Sequence, residues 1–367
     1  MFALRFHLLC LVVAAPCACS RVDSGEGQTQ EISVFVASDE LPLPGPNRAR
    51  LENAVKENAS CMVCHDEQAH EWRGSLHQRA NVDPAYRQAF AIEPLPFCRG
   101  CHAPEADPRD EPPASVSELG VGCVTCHVTR EGVVWAAPAT NPSSAPHAVH
   151  RSEAFAMTGG CTNCHEFGFP GTNAGPHDGD AMFMQTTGRE HARSAAAKTP
   201  CADCHMPVVL GRRSHHFREV RDSEWLRKNL EVTVRKGAAD SVEVVLRQTR
   251  PGHAFPTGDL FRRLEVGAEL RDTRGNVLRR DVQHLSRQFI ERPHMSGRDL
   301  QGDERLFDAP RTIDLDIAPE SKVAEPLRVF HWVKLQRVAT VGSGFSALEA
   351  VVESEVELHS GVFSWSP

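Results

Sequence analysis

Cys61-Met-Val-Cys64-His65, Cys98-Arg-Gly-Cys101-His102, Cys123-Val-Thr-Cys126-His127, Cys161-Thr-Asn-Cys164-His165 and Cys201-Ala-Asp-Cys204-His205 are five copies of one pattern. They use ten of the chain's 13 cysteines. The other three, Cys10, Cys17 and Cys19, stand in the first 20 residues, so no cysteine beyond the leader is left over. Two thiols at this spacing add to the two vinyl groups of one haem, and the histidine that follows brings an imidazole to the iron. Zinc sites also use Cys-x-x-Cys pairs, but they do not need a histidine immediately after each second cysteine. Disulfides do not need it either. Chance gives roughly 0.02 such motifs in a chain of this composition. Five copies therefore call for five covalent haem c groups, with His65, His102, His127, His165 and His205 as proximal ligands.

Each iron has a second axial position. The histidines available between residues 66 and 260 are His70, His77, His147, His150, His177, His191, His215, His216 and His253. His77 follows the first motif on a stretch that reads as helical. His147 and His150 are three residues apart, so both can face one way on a helix. His215 and His216 are adjacent and point differently, so one of the two is expected at an iron. Met182 and Met184 are weaker candidates, and Met206 follows a proximal histidine too closely to reach the same iron.

The rest of the chain is consistent with an exported, haem-filled protein. Aromatic residues are 6% of 367, so a non-protein apolar group would help to build a core. The formal net charge is −8 with no long basic run, which argues against nucleic acid as a partner. Arg5 and the apolar run Leu8–Ala15 read as a signal peptide over residues 1–20, too short to span a bilayer. Cys17 or Cys19 offers a lipid-attachment site. The expected location is the periplasm, or the outer membrane or cell surface of a bacterium as a lipoprotein.

Residues 21–50, polar and then Pro-rich, read as a flexible linker. Residues 51–225 hold every motif and are expected to be a haem-packed, mostly helical and irregular domain. Helices are expected at 51–60, 66–80, 84–92 and 185–198. From about residue 228 to 367 there are no cysteines, and short segments alternate with period two. Eight of them, at 230–235, 241–248, 264–271, 277–282, 288–291, 312–317, 328–335 and 350–358, read as strands of an antiparallel β-sandwich.

The order Cys61-x-x-Cys-His65, Trp72…Ser75-Leu-His77, Gly120-Val-Gly-Cys-Val-Thr-Cys-His127 and Cys201-Ala-Asp-Cys-His-Met-Pro207, followed by Ser214-His-His-Phe217, resembles multihaem cytochromes of the cytochrome c-554 type. These are related in haem arrangement to hydroxylamine oxidoreductase and pentahaem nitrite reductase. Gly252-His-Ala-Phe-Pro-Thr-Gly258 resembles the opening of a C-terminal β-domain found in exported members. The resemblance implies closely stacked haems. It also implies distal ligands His77, one of His147 or His150 (with His150 taken), His191, His216 and His253. No motif carries the lysine that marks the nitrite reductase's active haem, and the sole tyrosine, Tyr86, has no context matching the oxidoreductase's cross-linked one.

The function expected is an electron relay between other redox proteins. The alternative is an oxidoreductase acting on a small nitrogen or sulfur compound at one open iron. A third reading makes the β-region a docking module for a porin-like or polysaccharide partner.

Overall fold

A computed structural model describes residues 43–138, 146–175, 177–217, 221–238, 240–291, 298–320, 326–339 and 350–365. The leader, with Cys10, Cys17 and Cys19, lies outside the described residues, as does the linker up to residue 42. Pro42–Pro367 form one compact unit.

All five motifs sit on short helices. These are Glu52–Cys64, which ends at the first motif, Pro96–His102, Cys123–His127, Gly159–His165 and Cys201–His205. A helical turn puts the two cysteines, three residues apart, on one face, with the histidine beside the first. The helices start where sequence stops anything longer: Pro96 opens one, extended Gly122 precedes another, and Pro200 precedes the last.

Two expected helices are shorter than the pattern suggested. The one after the first motif covers Asp66–Trp72 only. Arg73 is extended, at φ −60° and ψ 130°, and Gly74 is left-handed at φ 78°, so His77 lies in a turn rather than on His70's helix. In the 185–198 stretch, Phe183–Thr186 is a strand paired with Glu166–Gly168, and only Thr187–Arg193 is helical. Thr186 and Thr187 are β-branched and fit the strand end better than a helix interior. The end of the stretch read as a linker is docked. Asn47 and Arg50 are buried, and Arg50 donates to Val124 O at 2.9 Å, Thr129 O at 2.9 Å and Glu105 Oε1 at 3.3 Å. It thereby holds carbonyls of the third motif's helix and of the residues just past it.

Each of the eight segments read as strands overlaps one. An antiparallel four-stranded sheet runs in the order Val277–Leu285, Arg262–Arg271, Leu327–Val338, Val352–Trp365. A three-stranded sheet runs Arg311–Asp316, Ser241–Gln248, Leu230–Lys236. Arg287–Glu291 pairs with a strand the sequence did not reveal, Arg298–Asp303, which is polar and carries Gly302. Val242, Val244 and Leu246 of the smaller sheet share one apolar cluster with Leu264, Val266, Leu270, Val329 and Val333 of the larger. Leu226, on the connecting helix Ser223–Asn229, joins the same cluster.

Candidate haem sites

Four motif histidines each face a second imidazole. His65 and His147 have ring centres 6.3 Å apart, His165 and His77 6.1 Å, His127 and His215 6.3 Å, and His205 and His253 6.1 Å. A metal–nitrogen bond of about 2 Å on each side of an iron separates two imidazole centres by about 6 Å. The interplanar angles are 57°, 90°, 31° and 20° in the same order.

The ring nitrogens are sorted accordingly. Nδ1 of His127 lies 2.8 Å from Trp135 O, that of His102 2.6 Å from Ala80 O, that of His215 3.1 Å from Arg213 O, and that of His253 3.0 Å from Ala254 O. An Nδ1–H donated to a carbonyl fixes the tautomer and leaves the Nε2 lone pair for a metal. Burial also keeps these rings neutral. It pulls His77 down to about 4, helped by His205, and His165 down to about 3, helped by His77 and His205. It likewise lowers His102, His127, His215 and His253. Neutral imidazole is the form that binds iron. His77 Nδ1 is buried without a partner. Its backbone is gripped instead: Val121 N donates to His77 O at 2.9 Å, and a Cβ on left-handed Gly120 would stand 2.5 Å from that oxygen.

The thiols show which motifs are neighbours. The side chain of Cys101 stands beside that of Cys164, and Cys201 beside Cys161. Cys61 acts electrostatically on Cys123, and Cys164 on Cys126. The fourth motif thus adjoins the second, third and fifth, and the third adjoins the first. Burial raises Cys123 to about 11 and Cys126 to about 12.

Five histidines were expected opposite the irons. Two of them, His77 and His253, stand across from motif imidazoles. The structure brings His147 rather than His150 to His65. His150 packs on Trp135 with ring centres 4.3 Å apart, and its Nε2 is buried without a partner. It brings His215 rather than His216 to His127. His216 has a side chain 64% exposed, 3.9 Å from Glu71. His191 is buried next to Glu190, and no ring contact joins it to a motif histidine among the described residues. Among the described residues His102 meets no second imidazole. Tyr86 lies flat on it, with ring centres 3.8 Å apart and planes at 10°. Asp259 and Arg337 act on His102 electrostatically, and they pair with each other at 3.1 Å. His294 and Met295 lie outside the described residues. Local sequence did not reveal Tyr86 or Asp259, because neither is near a motif's ligand in any periodic way.

The imidazole opposite His205 comes from the β-region. His253 lies in the Gly252–Gly258 loop, just past the Ser241–Gln248 strand. Nearby, Arg287 of the β-region donates to Asp180 O, Phe183 O and Met184 O at 2.8, 2.9 and 3.1 Å. Phe289 and Leu260 bury themselves with Phe169.

Helix-borne thiol pairs and opposed neutral imidazoles fit haem c. Residues 60–128 match the family described as cytochrome c554 and c-prime. The fold is similar to that of a penta-heme cytochrome c552 from Thermochromatium tepidum, whose crystal structure aligns with a TM-score of 0.64. Sequence identity is 19%, and the alignment covers 84% of this chain and 98% of that one. At that identity the likeness speaks for the fold alone. No curated protein matches the chain.

Proposed function

We propose that the chain is an exported pentahaem relay that passes electrons between redox proteins. Haem supplies the one-electron Fe(III)/Fe(II) couple, and the protein holds each iron between two imidazoles. The observation that carries this reading is the set of four opposed histidine pairs at 6.1–6.3 Å. Axial ligands are then His65 with His147, His127 with His215, His165 with His77, and His205 with His253. The thiol neighbours support the order first, third, fourth, with the second and fifth haems both reached from the fourth. The two larger sheets would form a sandwich that closes over the fifth haem. The leader would direct export and, through Cys17 or Cys19, attachment to lipid.

The test is haem count and spin state. Mass spectrometry of denatured protein should show five haem additions. Electron paramagnetic resonance of the oxidised protein should show low-spin haem in majority, with distinct signals for the perpendicular pair His77–His165 and the near-parallel pair His205–His253. Fewer than five additions in fully matured protein, or mainly high-spin haem, would overturn the relay.

One observation favours a second reading. His102 faces no other imidazole among the described residues, and a carboxylate–guanidinium pair, Asp259–Arg337, acts on it. In this reading the second haem has an open face and acts on a small nitrogen or sulfur compound. One equivalent of high-spin ferric haem, binding carbon monoxide once reduced, would support it. Five low-spin haems would leave the relay alone.

A further inference from the structure

Glu190 is a carboxylate whose side chain is only 2% exposed, on the Thr187–Arg193 helix. Its Oε2 accepts from Ala254 N at 3.2 Å and from Thr257 Oγ1 at 2.6 Å. Its Oε1 accepts from Thr186 Oγ1 and pairs with Arg305 Nη1 at 2.7 Å. Arg305, 4% exposed, also donates to Pro256 O at 3.3 Å and is held by Asp303. From the other side, Gln248 Nε2 donates to His253 O at 3.0 Å. The peptide that follows His253 is therefore gripped at both ends, through His253 O and Ala254 N, and the next carbonyl, Ala254 O, in turn accepts from the His253 ring.

The same device occurs once more. Glu71, 9% exposed, accepts from His215 N at 2.7 Å and pairs with Arg212 at 2.8 Å. In both places a buried carboxylate, neutralised by an arginine, holds the backbone at or next to a histidine that arrives from a remote segment. A surface loop has no intrinsic reason to hold an imidazole at one angle, and a buried charge-assisted hydrogen bond supplies it.

We propose that Glu190 is a positioning residue for His253, setting how that imidazole meets the haem of Cys201 and Cys204 and hence the redox potential of that haem. This rests on the reading that His253 is an axial ligand. The ring planes of His205 and His253 lie 20° apart, the most nearly parallel of the four pairs. That angle shapes the low-spin ferric signal, so releasing the loop should move the signal even while iron stays bound.

The experiment compares His253→Ala, Glu190→Ala, Glu190→Gln and Thr257→Val in the full-length, haem-loaded protein, by paramagnetic resonance, redox titration and carbon monoxide binding. His253→Ala should convert one low-spin haem to high-spin, with five haems still attached. Glu190→Ala should shift one low-spin signal and one of the five potentials, and admit carbon monoxide to up to one equivalent of reduced haem. Glu190→Gln, which keeps an acceptor, and Thr257→Val, which removes one contact, should shift the same signal less. Should Glu190→Ala not mature, these two milder variants decide. If His253→Ala opens an iron while the Glu190 and Thr257 variants keep wild-type signals and potentials, the positioning role is wrong and the ligand reading stands. If His253→Ala itself has a wild-type spectrum, the ligand reading fails and this inference fails with it.

Discussion

The motif-bearing region and the β-region make their interiors from different materials. Among the described residues the β-region and its leading helix bury one apolar cluster of twenty side chains, most of them from the two larger sheets. Among the described residues the motif region's own cluster has four buried members, Ala54, Trp72, Leu119 and Val124, too few to order some 170 residues against chain entropy. Polar clamps do more of its work. Arg50 binds Glu105 and three carbonyls, Asn58 Oδ1 accepts from Cys123 N at 2.7 Å, and Arg221 grips Asp83 with two bonds of 2.9 Å. Such clamps fix geometry well but contribute little net stability each. Porphyrin would supply the missing apolar bulk, so the first region is expected to depend on its cofactor and the second is not.

The largest effect should come from withholding haem. Protein matured without attachment, or with all ten motif cysteines replaced by alanine, should lose amide-exchange protection in residues 51–225 and keep it in the two larger sheets. Equal loss in both regions would abolish the distinction drawn here.

Single substitutions should sharpen it. Leu246→Ala, at a fully buried position of the smaller sheet, should cost about 2–5 kcal/mol. Arg50→Ala leaves Glu105 buried without its cation and should cost about 3–5 kcal/mol in the motif region. Thermal unfolding of the haem-loaded protein, followed by haem absorbance for the motif region and far-ultraviolet dichroism for the sheets, separates the two. An Arg50→Ala protein with an unchanged haem transition would show that bound haem alone holds the third motif's helix.

Ligand assignments follow at smaller scale. His147→Ala should open one iron while His150→Ala leaves all spin states alone. His215→Ala should open another while His216→Ala is silent. The reverse result in either pair would reassign that haem.

The smallest effect is a pH dependence. The side-chain hydrogen bond from Arg212 is the chief cause that holds Glu71 at about 2, below the ordinary 4.5. A depressed carboxylate stabilises the fold above its unfolded value, and that contribution is lost as pH falls from about 4.5 toward 2. The His127–His215 haem signal should therefore change in that window. Glu71→Gln should flatten this acid dependence, and an unchanged acid profile in that variant would separate Glu71 from the ligand it touches.

What the sequence determined by itself was everything written in contiguous residues. Thioether chemistry needs two cysteines and a histidine on one helical turn, so the five motifs, and from them haem c, could be read directly. The period-two segments were legible for a similar reason, since Val242, Val244 and Leu246 alternate with less buried neighbours whatever lies across from them. Arg298–Asp303 escaped because its pairing with Arg287–Glu291, and not its own pattern, makes it a strand.

Only the tertiary structure decided which imidazole stands opposite which motif. His147 and His150, or His215 and His216, carry equal local signals. The choice rests on where the chain turns: at Gly74 and Gly120 for His77, at the Arg212–Glu71 clamp for His215, and at the loop gripped by Glu190 and Gln248 for His253. An axial ligand must meet its iron to within a few tenths of an ångström. Such a placement belongs to packed and hydrogen-bonded surroundings drawn from distant parts of the chain, and no window of sequence contains them.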